Sequence, residues 1–238
     1  VDRLLGHRIL RRRSAEVSAE SALRGARASA ALEGIELPLE EIRAGGVREP
    51  VVQGALRVSA EIGGLADTWR KAPRQALARL HMLAAADAVP SDALGRPRGG
   101  DEPADDPLKV GDPPSPDEVA TRLETLSILL TAPTEAPALV VGAIVHGELM
   151  ALRPFGWGDG IVARGAQRLT LVDRGLDPKS LAAPEIGHLE LADEYAVALR
   201  GYLTGTPEGV AHWVRHCSEA VIAAARDSLA ICEALLRG

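Results

Sequence analysis

From residue 206 onward, apolar positions recur in steps of four and three: Val210, Val214, Cys217, Val221, Ala224, Ile231 and Leu235, with Ser228 as the single polar interruption. That rhythm lays one buried stripe along an α-helix. Thr206 can cap its start, Pro207 suits the first turn, and Glu208 sits at the positive end of the helix dipole. Weaker forms of the same pattern predict helices over 14–33, 39–44, 51–68, 73–87, 116–130, 135–151, 159–174 and 190–203. Val, Ile and Thr never settle into sustained alternation, and aromatic residues make up only 3% of the chain. A large sheet is therefore not expected, and the fold class is all-α.

The pattern breaks most strongly over 89–118, "VPSDALGRPRGGDEPADDPLKVGDPPSPDE". A loop of this length is functional, partly disordered, or a linker. One domain is the preferred reading, because the helices on either side are too few to enclose separate cores.

Composition narrows the function classes. A net charge of -6 over 238 residues argues against nucleic-acid binding, which needs a clustered basic surface. The one basic run, "HRILRRR" at 7–13, reads as a solvated helix end. No apolar run is long enough to span a membrane, and no signal peptide is apparent, so a cytoplasmic protein is expected. Cys217 and Cys232 fall in the last helix, about 22 Å apart at helical rise, beyond disulfide reach. They read as packed free thiols.

One stretch carries candidate chemistry. In "RPFGWGDGIVAR", 153–164, three glycines fall within five residues between two helical patterns. Pro154 ends the first helix, and the turn gathers backbone N–H groups at the start of the second, which is the geometry of an anion nest. There is no preceding strand and no Gly-Lys-Ser/Thr, so it is neither a P-loop nor a dinucleotide fingerprint.

The loop resembles the signature of Fic (fido) domain proteins, His-Pro-Phe-x-Asp/Glu-Gly-Asn-Gly-Arg-x-x-Arg. "SAALEG" (29–34) resembles the family's inhibitory motif, with Ser29, Glu33 and Gly34 in its positions. "RLH" (79–81), "LGRPRGG" (94–100) and "PPSPDEV" (113–119) resemble the stretch leading to the target-binding flap, and "DEYAVAL" (193–199) the tyrosine-bearing helix. The resemblance implies an all-α Fic-like domain at 46–238, preceded by N-terminal helices at 1–45, with room for one short hairpin in 94–112. It also implies ATP with magnesium as cofactor and AMP transfer to a protein hydroxyl.

Four polar functions of that signature are altered. Arg153 stands where the family has its histidine base, and a guanidinium stays protonated. Trp157 replaces the acidic metal ligand, Asp159 the asparagine, and Ile161 the first arginine. Loss of a general base alone removes about 10²–10⁴-fold in rate, on the order of 3–5 kcal/mol of barrier. What survives is scaffold: Phe155 as loop anchor, Gly158 and Gly160 for the turn, and Arg164, expected to pair with Glu33.

Arg153, Gly158, Asp159, Gly160 and Arg164 remain the candidates for nucleotide or phosphate contact. Asp159 is a candidate replacement base or metal ligand, and Trp157 reads as a plug in the vacated pocket. The sequence therefore points to a pseudoenzyme or regulatory module that binds a nucleotide, a phosphorylated metabolite or a protein. A transferase of altered chemistry and a purely structural interaction protein are the alternatives. His146 lies two turns before Arg153, too far to replace the base, and reads as a half-buried satisfied histidine. His188 and the i, i+4 pair His212/His216 show no third-ligand pattern, so no metal is expected.

Overall fold

The computed structural model describes residues 1–100 and 102–237. Eleven helices are found among them: α1 (Asp2–Leu5), α2 (Leu10–Leu32), α3 (Leu39–Ala44), α4 (Pro50–Lys71), α5 (Pro73–Ala85), α6 (Pro116–Thr131), α7 (Ala138–Leu152), α8 (Asp159–Asp173), α9 (Pro184–Glu190), α10 (Ala192–Leu203) and α11 (Pro207–Arg237). The all-α expectation holds. No strand forms over 94–112 among the described residues, so the hairpin is absent there. Proline and glycine at Pro97, Gly99 and Gly100 deny that stretch the regular ladder a hairpin needs.

α8 runs through the middle. Every residue from Asp159 to Leu171 is buried, and the helix packs against α7, α4, α5, α2 and α9. A helix surrounded on all sides has no polar face to display, which is why 159–174 is only weakly amphipathic in sequence. Its polar side chains, Arg164, Gln167 and Arg168, are taken inside and must be partnered there. Arg168 reaches Ser180 Oγ at 2.7 Å and Ser59 Oγ at 2.9 Å, and lies 3.8 Å from Glu185.

The long helix α11 buries Cys217, Val221, Ala224, Ser228 and Ile231 of the expected stripe, leaves Val210, Val214 and Leu235 half-buried, and widens the stripe with Trp213, His216, Ala220 and Cys232. Thr206 Oγ1 accepts from the Gly209 N–H at 3.2 Å, as its capping role requires. Both cysteines are free and buried. A second apolar cluster joins the two ends of the chain: Leu4, Leu10 and Val17 pack with Leu181, Ala224, Ala225, Ile231 and Cys232. The basic run does lie at a helix start, with Arg11 and Arg12 exposed.

Two helices were not anticipated, α1 and α9. Each is short and, unlike α3 after Pro38 with Glu40 and Glu41 in its first turn, stood beside no pattern that the sequence separated from loop. α9 is set instead by Pro184 at its first turn and by close approach to α11, where a methyl at Gly187 would overlap the Ala220 backbone.

Candidate functional site

Three elements converge on one end of α8: the loop 153–158, the C-terminus of α2, and the segment 98–111. α7 terminates at Arg153, whose backbone is left-handed (φ 41°, ψ 60°) while its N–H donates to Leu149 at 3.0 Å. A non-glycine residue there is strained and persists only where its surroundings hold it. They do so here. The guanidinium is buried and donates to the carbonyls of Gly111 and Asp105, with the Asp106 carboxylate at 3.6 Å. Arg98 closes the same junction from the other side. Its N–H donates to Pro154 O at 2.7 Å, its Nε to Arg153 O at 3.2 Å, and Nη2 to Pro114 O. Arg153 is thus a tether for the 105–111 segment.

The turn that follows places Gly156 and Gly158 at positive φ (79° and 68°), and Gly158 begins α8 without a side-chain cap. The N–H groups this turn directs inward are already used. Phe155 N donates to Asp159 Oδ1 at 3.0 Å, and Gly156 N to Oδ2 at 2.8 Å. The nest is filled by the protein's own carboxyl group. Burial pushes the Asp159 carboxyl up to about 7, against the pull of the two N–H donors; Glu33 nearby adds to the rise and Arg153 opposes it.

α2 delivers the third part. It ends in paired capping bonds, Ile35 N to Ala30 O at 3.0 Å and Gly34 N to Ala31 O at 2.9 Å, with Gly34 at φ 90°. This closure needs glycine at 34 and fixes the direction in which Glu33 leaves the helix. The expected pair is present: Glu33 Oε1 lies 2.5 Å from Arg164 Nη2, with the arginine side chain 1% exposed and the glutamate 10%. Arg164 also donates from Nε to Ser29 Oγ at 3.0 Å and from Nη2 to Ser29 O at 3.1 Å, while Nη1 has no hydrogen-bond partner.

Gly160 proves to have a different task from the one its place in the motif suggested. It sits inside α8 rather than in the turn, and a methyl on it would overlap Glu33 Oε1. The glycine makes room for the glutamate.

Phe155 is half-buried, packs on the main core, and stacks on His81 with ring centroids 4.2 Å apart. His81 accepts from the Gly95 N–H at 2.9 Å, and burial pushes its pKa down to about 4, so it is a neutral ring. Trp157 is half-buried and does not fill the space beside it. It lines a pocket of about 280 Å³ with Glu33, Asp105, Asp106, Gly158 and Ile161. Among the described residues three carboxylates and no cation line that pocket. Between Arg153, Asp159 and Met150 only about 10 Å³ is left, on the order of one water.

His146 is not half-buried but fully enclosed, with Nε2 2.8 Å from Tyr195 Oη and Nδ1 unpartnered. α7 is buried along most of its length, and its partly exposed polar position is taken by Glu148, paired with Arg122, rather than by His146. His212 and His216 part company. His216 is buried against His188, while His212 pairs with Glu194 at the surface. The sequence reading missed Arg98 and Asp106, the two residues that fasten 98–111 to the loop. Neither differs in pattern from its neighbours Arg96 and Asp105, so no local signal could have singled them out.

A helical domain with an N-terminal helix laid over a glycine-rich turn is a Fic-like fold, and this chain has it. No protein-family model matches the sequence, nor does any curated protein. Among solved structures the chain is similar to a Fic family protein from Desulfovibrio desulfuricans G20, with a TM-score of 0.71 and 22% identity over 90% of this chain and 66% of that one. It is also similar to residues 134–508 of Fic-1 from C. elegans, with a TM-score of 0.67 and 19% identity over 95% of this chain and 72% of that one. The chain spans just under two thirds of the length of the first. No helix among the described residues is long and apolar enough to cross a membrane.

Proposed function

We propose that this chain is a Fic-fold protein that acts as a non-catalytic, regulatory binding module. The observation that carries this reading is the Asp159 carboxylate seated on the Phe155 and Gly156 N–H groups, where an incoming phosphate would have to sit. Arg164, the cation on α8 nearest the nest, is engaged by Ser29 and Glu33 through Nε and Nη2. Arg153 offers no base and is committed to the 105–111 segment. The partner is a protein that docks over 98–111, or a nucleotide or phosphorylated metabolite admitted only when Glu33 and Asp159 withdraw.

Calorimetric titration with ATP, with and without magnesium, tests this on the native chain, Glu33→Gly, and the double variant Glu33→Gly/Asp159→Asn. Silence in the native chain is expected, with binding gained only in the double variant, where both competing carboxylates are gone. Transfer of label from ATP to any protein by the native chain would overturn the reading. One observation favours a second reading, a transferase using Asp159 as base: its carboxyl sits near 7, within the range a general base needs. On that reading label transfer is present in the native chain and lost in Asp159→Ala.

A further inference from the structure

Behind the nest, the core holds a cluster that neither the Fic-like site nor the proposed function uses. His146 on α7, His188 on α9 and Cys217 on α11 are all without solvent exposure, and a ligand atom of each lies within 4.8 Å of the other two. We propose that these three side chains bind one zinc ion, which ties α7, α9 and α11 together at the centre of the domain.

The donor chemistry fits. Two imidazoles and one thiolate are a borderline-soft set, the kind that zinc takes in closed structural sites. Both rings also carry the supporting contact that zinc-bound histidines generally have on the nitrogen away from the metal. His146 Nε2 lies 2.8 Å from Tyr195 Oη, and His188 Nε2 lies 2.8 Å from Gln167 Oε1. If each Nε2 carries its proton toward that oxygen, both Nδ1 atoms present a lone pair. The His146 Nδ1 then has nothing to accept from: it is buried and unpartnered. An orphaned polar atom at the heart of a close-packed core needs an explanation, and a metal ion supplies one.

A tetrahedral ion with bonds of roughly 2.0–2.3 Å sets its ligand atoms about 3.3–3.8 Å apart. The ligand atoms lie within 4.8 Å of one another, so side-chain rotation has to draw them together by up to about 1–1.5 Å for the ion to bind. His216 lies outside the group of three; its Nε2, 3.0 Å from His188 Nδ1, gives up that contact when the ion takes the His188 lone pair. The thiol proton is released to solvent as the Zn–S bond forms, leaving one net positive charge in the site. Arg164 is the nearby cation that opposes this, and its own charge is balanced by Glu33.

Metal content and cobalt substitution test the site. The native chain, purified without chelator, is expected to carry about one zinc per chain. Replacement by cobalt(II) is expected to give a near-ultraviolet thiolate-to-cobalt band. Cys232→Ala leaves Cys217 as the only thiol and is expected to keep that band, whereas Cys217→Ser loses it. Should Cys217→Ser fail to fold, Cys232→Ala decides alone. A folded Cys232→Ala chain that takes up no cobalt, or takes it up without the band, overturns the proposal. The cluster would then be a hydrogen-bonded core and nothing more.

Discussion

At the scale of single residues, the pairing of Gly160 with Glu33 gives the sharpest test of how this site is built. An alanine at an ordinary helix position gains about 1 kcal/mol over glycine. At 160 the added methyl overlaps a carboxylate pinned to Arg164, so Gly160→Ala is expected to destabilise the protein by about 1–3 kcal/mol. In a Glu33→Ala background the carboxylate is gone and only the end of the Arg164 side chain, 3.0 Å away, stays close, so the same substitution is expected to cost much less or nothing. Urea midpoints of the four proteins measure this coupling; a cycle that closes with no interaction would show that Glu33 does not occupy the space over Gly160.

Asp159 makes a second prediction at this scale. Its carboxyl lies near 7 in the folded chain, above an unfolded value of about 3.9. Between those values the folded state holds a proton that the unfolded state has released. Its contribution is therefore complete below the unfolded value and is lost as pH rises through 7. Native stability relative to Asp159→Asn is expected to increase by about 2–3 kcal/mol from pH 7 to pH 5. Taking the difference cancels His81, which acts in the opposite direction because its lowered pKa costs stability as pH falls below about 6.5. A difference that does not change with pH would mean the nest N–H groups hold Asp159 ionised throughout.

At the scale of elements, the fold rests on close helix approaches. Gly187 on α9 faces the backbone of Ala220 on α11, and backbone cannot step aside as a side chain can. Gly187→Ala is expected to cost about 3 kcal/mol, the upper end for overpacking, read as a lowered urea midpoint with an unchanged m-value. This is also the scale at which sequence and structure part. Amphipathic helices such as α4 and α11 announced themselves by apolar spacing, and the turn between α7 and α8 by Pro154 and its glycines, each of which has a local cause. α9 did not, since its position depends on Ala220, some thirty residues further along.

The candidate site divides in the same way. The Glu33–Arg164 pair was legible because a capped helix end and a motif position pointed to it. The filling of the nest by Asp159 was half legible: its charge was visible, but not that both its oxygens would be used within the loop. The tether from Arg153 to Gly111 joins segments some forty residues apart, and local pattern carries nothing about that.

At the scale of the whole molecule, the N-terminal helices are bound into the domain. Leu4, Leu10 and Val17 share a cluster with Ile231 and Cys232; Arg13 donates to Leu235 O at 2.9 Å, and Arg24 pairs with Asp227 at 2.9 Å. α2 also covers Arg164 and touches the network around Arg168, through Ser18 Oγ, which donates to Ser180 O, and through Ala22 O, which accepts from Ser59 Oγ on α4. Removing residues 1–45 would bare this apolar cluster and leave the buried Arg164 without its carboxylate, and an uncompensated buried charge costs about 3–5 kcal/mol by itself. That is a large share of the 5–15 kcal/mol by which a domain is stable. The 46–238 fragment is therefore expected to lack a cooperative transition, whereas the full chain unfolds in one step, with tryptophan fluorescence and far-ultraviolet dichroism coinciding in urea. A folded, cooperative 46–238 fragment would show instead that α2 is a detachable cover, able to leave Arg164 and open the nest without loss of the domain.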